Sequence, residues 1–278
     1  MPVLKANAYG HGLVECARAL VAQGAKHLAV AFLEEAVALR RAGIKAHILA
    51  LGGLSGRQLE GFIEHDIDCT ASSVDKINLI QALAVFSGKR ARVHLKVDTG
   101  MERLGVHDYS AGTLFKAAKN ATNCDIVGIY THCPQSENID LSYTKEQCTR
   151  FNNVLRLADE YGLLSSDVMR HMANSGAICS LPETHFDIVR PGLLLYGYAP
   201  IPEWNSVLDL KPAMKLRSEI AYFKVIKKGA GVSYNHTWHA NEQTRIVTIP
   251  LGYGDGYLRS CSNRASVLIN GKRYPNVG

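Results

Sequence analysis

From residue 1 to about 209, short apolar runs alternate with stretches in which apolar positions recur every three to four residues. The runs are VLK (3–5), HLAVA (27–31), AHILAL (46–51), DCTAS (68–72), ARVHLKV (91–97), DIVGIYTH (125–132), DVMRHMA (167–173) and DIVRPGLLLYG (187–197). Their length and β-branched content predict strands. Between them VECARALVAQGAK, LEEAVALRRAGI, DKINLIQALAVF and SYTKEQCTRFNNVLRLADEYG carry the helical period. LEEAVALRRAGI also has acids in its first turn and arginines in its last, as the helix dipole favours. Eight apolar strands alternating with helices predict a parallel sheet covered on both faces. Eight such units in this length predict an α/β fold closed as a TIM-type (β/α)8 barrel over 1–209. An open doubly wound sheet is the alternative. Its dinucleotide-binding form is disfavoured, because no G-x-G-x-x-G follows any strand.

After LDLKPAMKL the pattern changes. RSEIAYFKVIKKG, RIVTIPLGYGDGY and ASVLINGKRYPNVG read as strands and turns with no strong helix between them. Asn270-Gly271 between two strand-like runs is a hairpin signal. A second, mostly-β domain, incomplete at its end, is therefore expected over 210–278.

Composition narrows the function classes. The chain has 278 residues, 47% hydrophobic and 20% charged, which is globular and not disordered. The net charge of +6 is spread without a long Lys/Arg block, so no nucleic-acid partner is expected, although the excess suits an anionic cofactor. The seven cysteines are scattered without a CxxC pair. That predicts reduced thiols in a cytoplasmic protein and no metal site. No apolar run reaches the ~18 residues of a membrane helix, and no signal peptide is expected before the first strand.

The chemistry of a barrel lies at the C-terminal ends of its strands. Lys5 ends the first run, with Tyr9 in the loop after it. Lys96 ends the fifth, followed by Asp98, Met101 and Arg103. His132 ends the sixth; His171, Asn174 and Ser175 end the seventh; Arg190 and Gly192 fall in the eighth. Taken singly, His132 fits a core histidine, Asn174 and Ser175 fit caps of a short helix, and Arg190 fits a structural ion pair. Taken together they converge on one end of one barrel. A lysine able to form an imine, hydroxyl and backbone donors for a phosphate, and an arginine for a ring nitrogen point to pyridoxal phosphate.

VLKANAYGHG, KVDTGMERLG, THC, HMANSG, RPGLLLYG, GVSYNHTW and IPLGYGDGY follow one another in this order. They resemble the motifs of bacterial alanine racemases, the fold type III pyridoxal-phosphate enzymes, and the resemblance spans the chain. It implies that Lys5 holds the cofactor through an imine and acts as one catalytic base. Tyr9 and Ser175 would bind the phosphate, with Asn174 beside them and backbone help around Gly192 and Leu193. Arg190 would face the pyridine nitrogen, tuned by His171, and His132 would pack near the ring. Arg103 would reach the phenolic oxygen and the substrate carboxylate, positioned by Lys96, which is often carbamylated in the family. Tyr234 would be the second base, acting in the partner subunit of a homodimer with shared sites. Tyr253 would line the substrate entrance.

The implied reaction is interconversion of L- and D-alanine by a two-base mechanism, supplying D-alanine for peptidoglycan. Inversion needs a proton removed from one face of the α-carbon and returned on the other. An amine and a phenol do this only when burial and neighbours tune them. A serine or broad-spectrum racemase is the alternative, because an apolar pocket rejects an added hydroxyl only weakly. Family members have further chain at both ends. The sequence therefore reads as truncated at each end, and a catalytically impaired cofactor-binding fragment is a further alternative.

Overall fold

The computed structural model describes residues 1–53, 58–206 and 208–278. The chain divides into two compact units, Met1–Met214 and Lys215–Gly278. Residues just after the barrel pack with the first unit, where the Ala213 N–H donates to the Tyr196 carbonyl.

The first unit is a closed (β/α)8 barrel. Its regular strands are β1 (His27–Val30), β2 (His47–Ala50), β3 (Cys69–Ala71), β4 (Ala91–Asp98), β5 (Val106–His107), β6 (Cys124–Tyr130) and β7 (Met169–His171). β1 pairs with β2, β3 with β4, β4 with β6 and β6 with β7, all in parallel. Residues 3–5, β1, β2, β3, β4, β6, β7 and residues 187–191 are the eight staves in order, and a bridge between Leu49 and Asp68 joins β2 to the residue that leads into β3. Residues 187–191 form the last stave, where the Asp187 and Arg190 N–H groups donate to the Arg170 and Ala173 carbonyls. The ring closes where the Val3 N–H meets the Pro191 carbonyl at 3.0 Å and the Leu4 N–H meets the Ala29 carbonyl at 2.7 Å. The short β5 pairs with β4 beyond these staves.

Helices follow the staves and bury one apolar stripe each. In Ser142–Glu160 the stripe is Phe151, Val154, Leu155 and Ala158, spaced at i, i+3, i+4 and i+7. Val74–Phe86 begins on Ser73, whose side chain accepts the Lys76 N–H as an N-cap.

Two expected strands differ in the structure. In VLK only Val3 makes a ladder contact, and the chain leaves the strand at Lys5. Ala6, Asn7, Ala8 and Tyr9 all have φ near +54°, a left-handed turn that costs about 1–2 kcal/mol per residue. Side chains hold it. The Asn7 amide oxygen accepts the Leu13 N–H at 2.9 Å, and Glu35 accepts the Ala6 N–H at 2.6 Å. The second Glu35 oxygen takes the Ala31 N–H at 2.8 Å, tying the turn to the end of β1. In DIVRPGLLLYG the extended part stops at Gly192, and Leu193–Tyr196 is a 3-10 turn. Pro191 has no N–H to continue a ladder, and Gly192 turns the chain at φ −107°, ψ −91°.

The second unit is built of antiparallel pairs. β8 (Tyr222–Ile226) pairs with β11 (Thr244–Thr248), and β9 (Gly231–Val232) with β10 (Trp238–His239). β12 (Ser266–Ile269) and β13 (Lys272–Pro275) form a hairpin. Its turn residues Asn270 and Gly271 have φ of 49° and 78°, the primed-turn conformation that suits strand twist.

Candidate active site

Strand alternation turns every second residue of a stave inward. Asp68 and Thr70, His94 and Lys96, and Tyr130 and His132 are such pairs, and His171 and Arg190 join them. All but His132 are buried on the same scale as the core. A polar barrel interior is stable only if its groups satisfy one another.

Arg190 is the hub. Its Nη2 donates to the Thr131 and Met172 carbonyls at 2.7 and 2.9 Å, and lies 3.1 Å from His132 Nδ1. Its Nη1 lies 2.7 Å from His171 Nδ1. Burial lowers the Arg190 guanidinium to about 10, still charged at neutral pH. Burial, then the Arg190 charge, holds both His132 and His171 well below the ordinary histidine range, so both are neutral. The Tyr130 ring stacks on His171 at 4.7 Å and lies 5.4 Å from both the Arg190 guanidinium and the Lys96 amine.

Lys96 donates to the Val97 carbonyl at 2.8 Å. Burial pulls its amine down to about 7, against the opposing pull of Asp98. Asp98 shapes the loop that follows. Its carboxylate accepts the Gly100, Met101 and Arg103 N–H groups at 2.8, 2.7 and 3.1 Å. Those bonds outweigh burial and hold the Asp98 carboxyl below the usual range.

These residues open into a cavity of about 420 Å³ at the C-terminal ends of the staves. Lys5 and Tyr9 line it from the left-handed turn, and Lys96, Arg103 and His132 from the fifth and sixth staves. Asn174, Ser175, Arg190, Gly192 and Leu193 complete it from the last two. Among the described lining residues Lys5, Arg103 and Arg190 are cationic, Lys96 is a further basic group, and Glu137 is the one acid, so the cavity suits an anion. The structure thus brings together ten of the sequence-predicted site residues. His171 lies behind Arg190. Tyr234 and Tyr253 belong to the second unit, where each opens a short 3-10 turn and is largely exposed. Asn235 after Tyr234 has φ of 59°, a left-handed value that asparagine tolerates.

One wall of the cavity is formed by the N-terminus of helix Ser175–Ser180 and the turn at Gly192. Ser175 Oγ accepts the Gly192 N–H at 2.8 Å. Asn174 caps helix Ser175–Ser180 by accepting the Ala177 N–H at 3.0 Å, and its amide nitrogen donates to the Cys133 carbonyl at 2.9 Å. Its polar atoms are therefore engaged within the protein. Tyr130, Glu137 and Glu35 were not singled out from the sequence. Tyr130 had a signal, since it stands two residues before His132 on the same inward face.

Residues 1–200 match the alanine racemase N-terminal domain, and residues 213–278 match the alanine racemase C-terminal domain. The chain belongs to the alanine racemase family. An alanine racemase of Desulforamulus reducens is 45% identical over the whole chain, which spans 75% of that protein. The alanine racemase of a D-cycloserine-producing Streptomyces lavendulae superposes with a TM-score of 0.94 at 38% identity, over 100% of this chain and 74% of that one. The alanine racemase of Bartonella henselae, solved with covalently bound pyridoxal phosphate, has a TM-score of 0.85 at 29% identity, over 100% of this chain and 75% of that one.

Alanine racemases use pyridoxal phosphate, and the residues here fit it. A Cβ on Gly192 would crowd the Tyr9 hydroxyl, so the glycine lets a phenol approach the backbone beside the Ser175 hydroxyl. Those are donors for a phosphate. Lys5 and the donor-only Arg190 line the same cavity.

Proposed function

We propose that this chain interconverts L- and D-alanine with pyridoxal phosphate as cofactor, as a cytoplasmic homodimer that supplies D-alanine for peptidoglycan. The observation that carries this reading is Lys5 lining, with Tyr9, Ser175 and Arg190, one cavity rich in cations. When bound, the cofactor supplies an electron sink that makes the α-proton of the amino acid removable.

The chain's own residues do the rest. Lys5 holds the cofactor and moves a proton on one face of the α-carbon. Tyr234, from the partner subunit, moves a proton on the other face. Tyr9, Ser175 and the Gly192 and Leu193 backbone grip the phosphate, with Asn174 framing Ser175. Arg190 donates toward the ring nitrogen and, having no acceptor, favours the unprotonated ring. His171 steadies Arg190, and His132 packs beside the ring. Arg103 binds the substrate carboxylate with Lys96 behind it, and Tyr253 narrows the entrance.

The test is α-proton exchange in heavy water, followed by NMR on the cofactor-loaded chain with L-alanine and L-serine. Exchange with alanine that disappears in Lys5→Ala, and runs slower with serine, is expected. No exchange from alanine, in protein that still shows the absorption band of lysine-bound cofactor, would overturn the reading.

A further inference from the structure

Behind Arg190 a line of side chains runs down the barrel interior. Arg190 Nη1 is 2.7 Å from His171 Nδ1. A guanidinium only donates, so His171 accepts at Nδ1 and carries its proton at Nε2. His171 Nε2 is 3.0 Å from His94 Nδ1. His94 therefore also accepts at Nδ1 and carries its proton at Nε2. That proton faces the Asp68 carboxylate, whose Oδ2 lies 3.5 Å from His94 Nε2. The other oxygen, Oδ1, accepts from Arg92 Nε at 2.8 Å.

The line is built into the fold. Asp68, His94 and His171 are buried. β6 changes register opposite Val93 and His94, and a Cβ on Gly128 there would overlap the His94 ring. The opposite polarity would set a His171 N–H against an Arg190 N–H and a bare His94 Nε2 against the Asp68 carboxylate, so the two ends of the line favour one direction together.

We propose that Asp68 and His94 are positioning residues for Arg190: the carboxylate fixes the tautomers of His94 and His171 in series, and His171 thereby holds Arg190 where it meets the cofactor ring nitrogen. The last clause rests on the reading of Arg190 given above; the tautomers do not. Burial raises the Asp68 carboxyl, but the facing His94 ring, 3.5 Å away and short of a full hydrogen bond, and the bond from Arg92 outweigh it and hold the carboxyl below the usual range.

The experiment is long-range ¹H–¹⁵N NMR on the histidine-labelled full chain, with and without pyridoxal phosphate. His94→Gln and His171→Gln identify the resonances. In the unsubstituted protein both rings are expected as Nε2–H tautomers with unprotonated Nδ1. A proton on Nδ1 of either ring overturns the proposal. Asp68→Asn supplies the second arm. With its amide oxygen held by Arg92, the asparagine turns N–H groups toward His94. The His94 and His171 tautomers should then invert or mix, and the ¹⁵N resonance of labelled pyridoxal phosphate should shift. Unchanged tautomers in a folded Asp68→Asn overturn the coupling. Changed tautomers with an unmoved cofactor resonance overturn the link to the ring nitrogen. If Asp68→Asn does not fold, the unsubstituted tautomers still decide. Failure of the racemase reading would appear separately, as absent alanine exchange with these tautomers intact.

Discussion

A Cβ atom placed on Gly192 would lie 2.7 Å from the Tyr9 hydroxyl. The conflict is with the tip of the Tyr9 side chain, which would have to move aside for an alanine. Overpacking of this kind costs about 1–3 kcal/mol. Gly192→Ala should therefore weaken pyridoxal phosphate about 10- to 100-fold while the circular dichroism spectrum is unchanged. A spectroscopic titration measures the Kd; an unaltered value would mean that the phosphate is held elsewhere.

Glu35 gathers the N–H groups of Ala6 and Ala31, one just after Lys5 and one just after β1. Glu35→Ala leaves both without their acceptor and frees a strained turn. A loss of about 2 kcal/mol in urea unfolding is expected, with Glu35→Gln losing less because one carbonyl oxygen remains. Unchanged stability in Glu35→Ala would show that the carboxylate is not what holds the turn.

His132 and His171 titrate well below the ordinary range and His27 is lowered to about 4, chiefly by burial in each case. In the unfolded chain all three take up protons near pH 6.5. Below that pH the unfolded state binds more protons than the fold does, so stability falls as the solution is acidified. The urea midpoint should drop between pH 7 and pH 5. His27→Gln should remove only a small part of the drop, since that ring is half-exposed.

Lys96 follows the same logic at higher pH. Its amine loses its proton at about 7 in the fold, against 10.5 for an ordinary lysine. Between those values the unfolded chain holds a proton that the fold does not, so this group makes stability rise with pH, by about 1.4 kcal/mol per pH unit. Lys96→Met should flatten the rise between pH 7.5 and pH 9.5. An undiminished slope in the variant would place the titrating group elsewhere.

Tyr234 is assigned to one face of the α-carbon and Lys5 to the other. In Tyr234→Phe, racemisation should fall about 10²- to 10⁴-fold. Washout of an α-deuterium should survive much better from one enantiomer than from the other, because Lys5 still serves its own face. Symmetrical losses would argue against a division of labour between the two residues.

The barrel was legible because period-2 and period-3.6 patterns alternate cleanly along the chain, and the positions at the stave ends then fell into one cavity. The left-handed turn was not legible. Nothing in ANAY besides the asparagine signals positive φ, and the turn depends on Glu35, 29 residues from Ala6 in sequence. The 3-10 turn at Leu193–Tyr196 was hidden because an apolar run reads as strand until Pro191 and Gly192 are weighed as breakers. Asp68 and His94 escaped notice because each looks ordinary in its own strand. Only the register between staves reveals that they are in line with Arg190.

The ring of the barrel closes between Val3 and Pro191. Lys5 and Arg190 stand on opposite sides of that seam, on the earliest and latest staves to be synthesised. Tyr196 crosses it as well, bonding the Val3 carbonyl at 2.9 Å and packing 5.0 Å from Tyr9. Nearly two hundred residues must emerge before these groups can meet, a loop whose closure is entropically slow. The cofactor pocket is thus among the last parts of the barrel to exist during folding. A ligand gripping both sides of the seam would act as a clasp, recruiting the folded state by mass action and slowing the reopening of the ring.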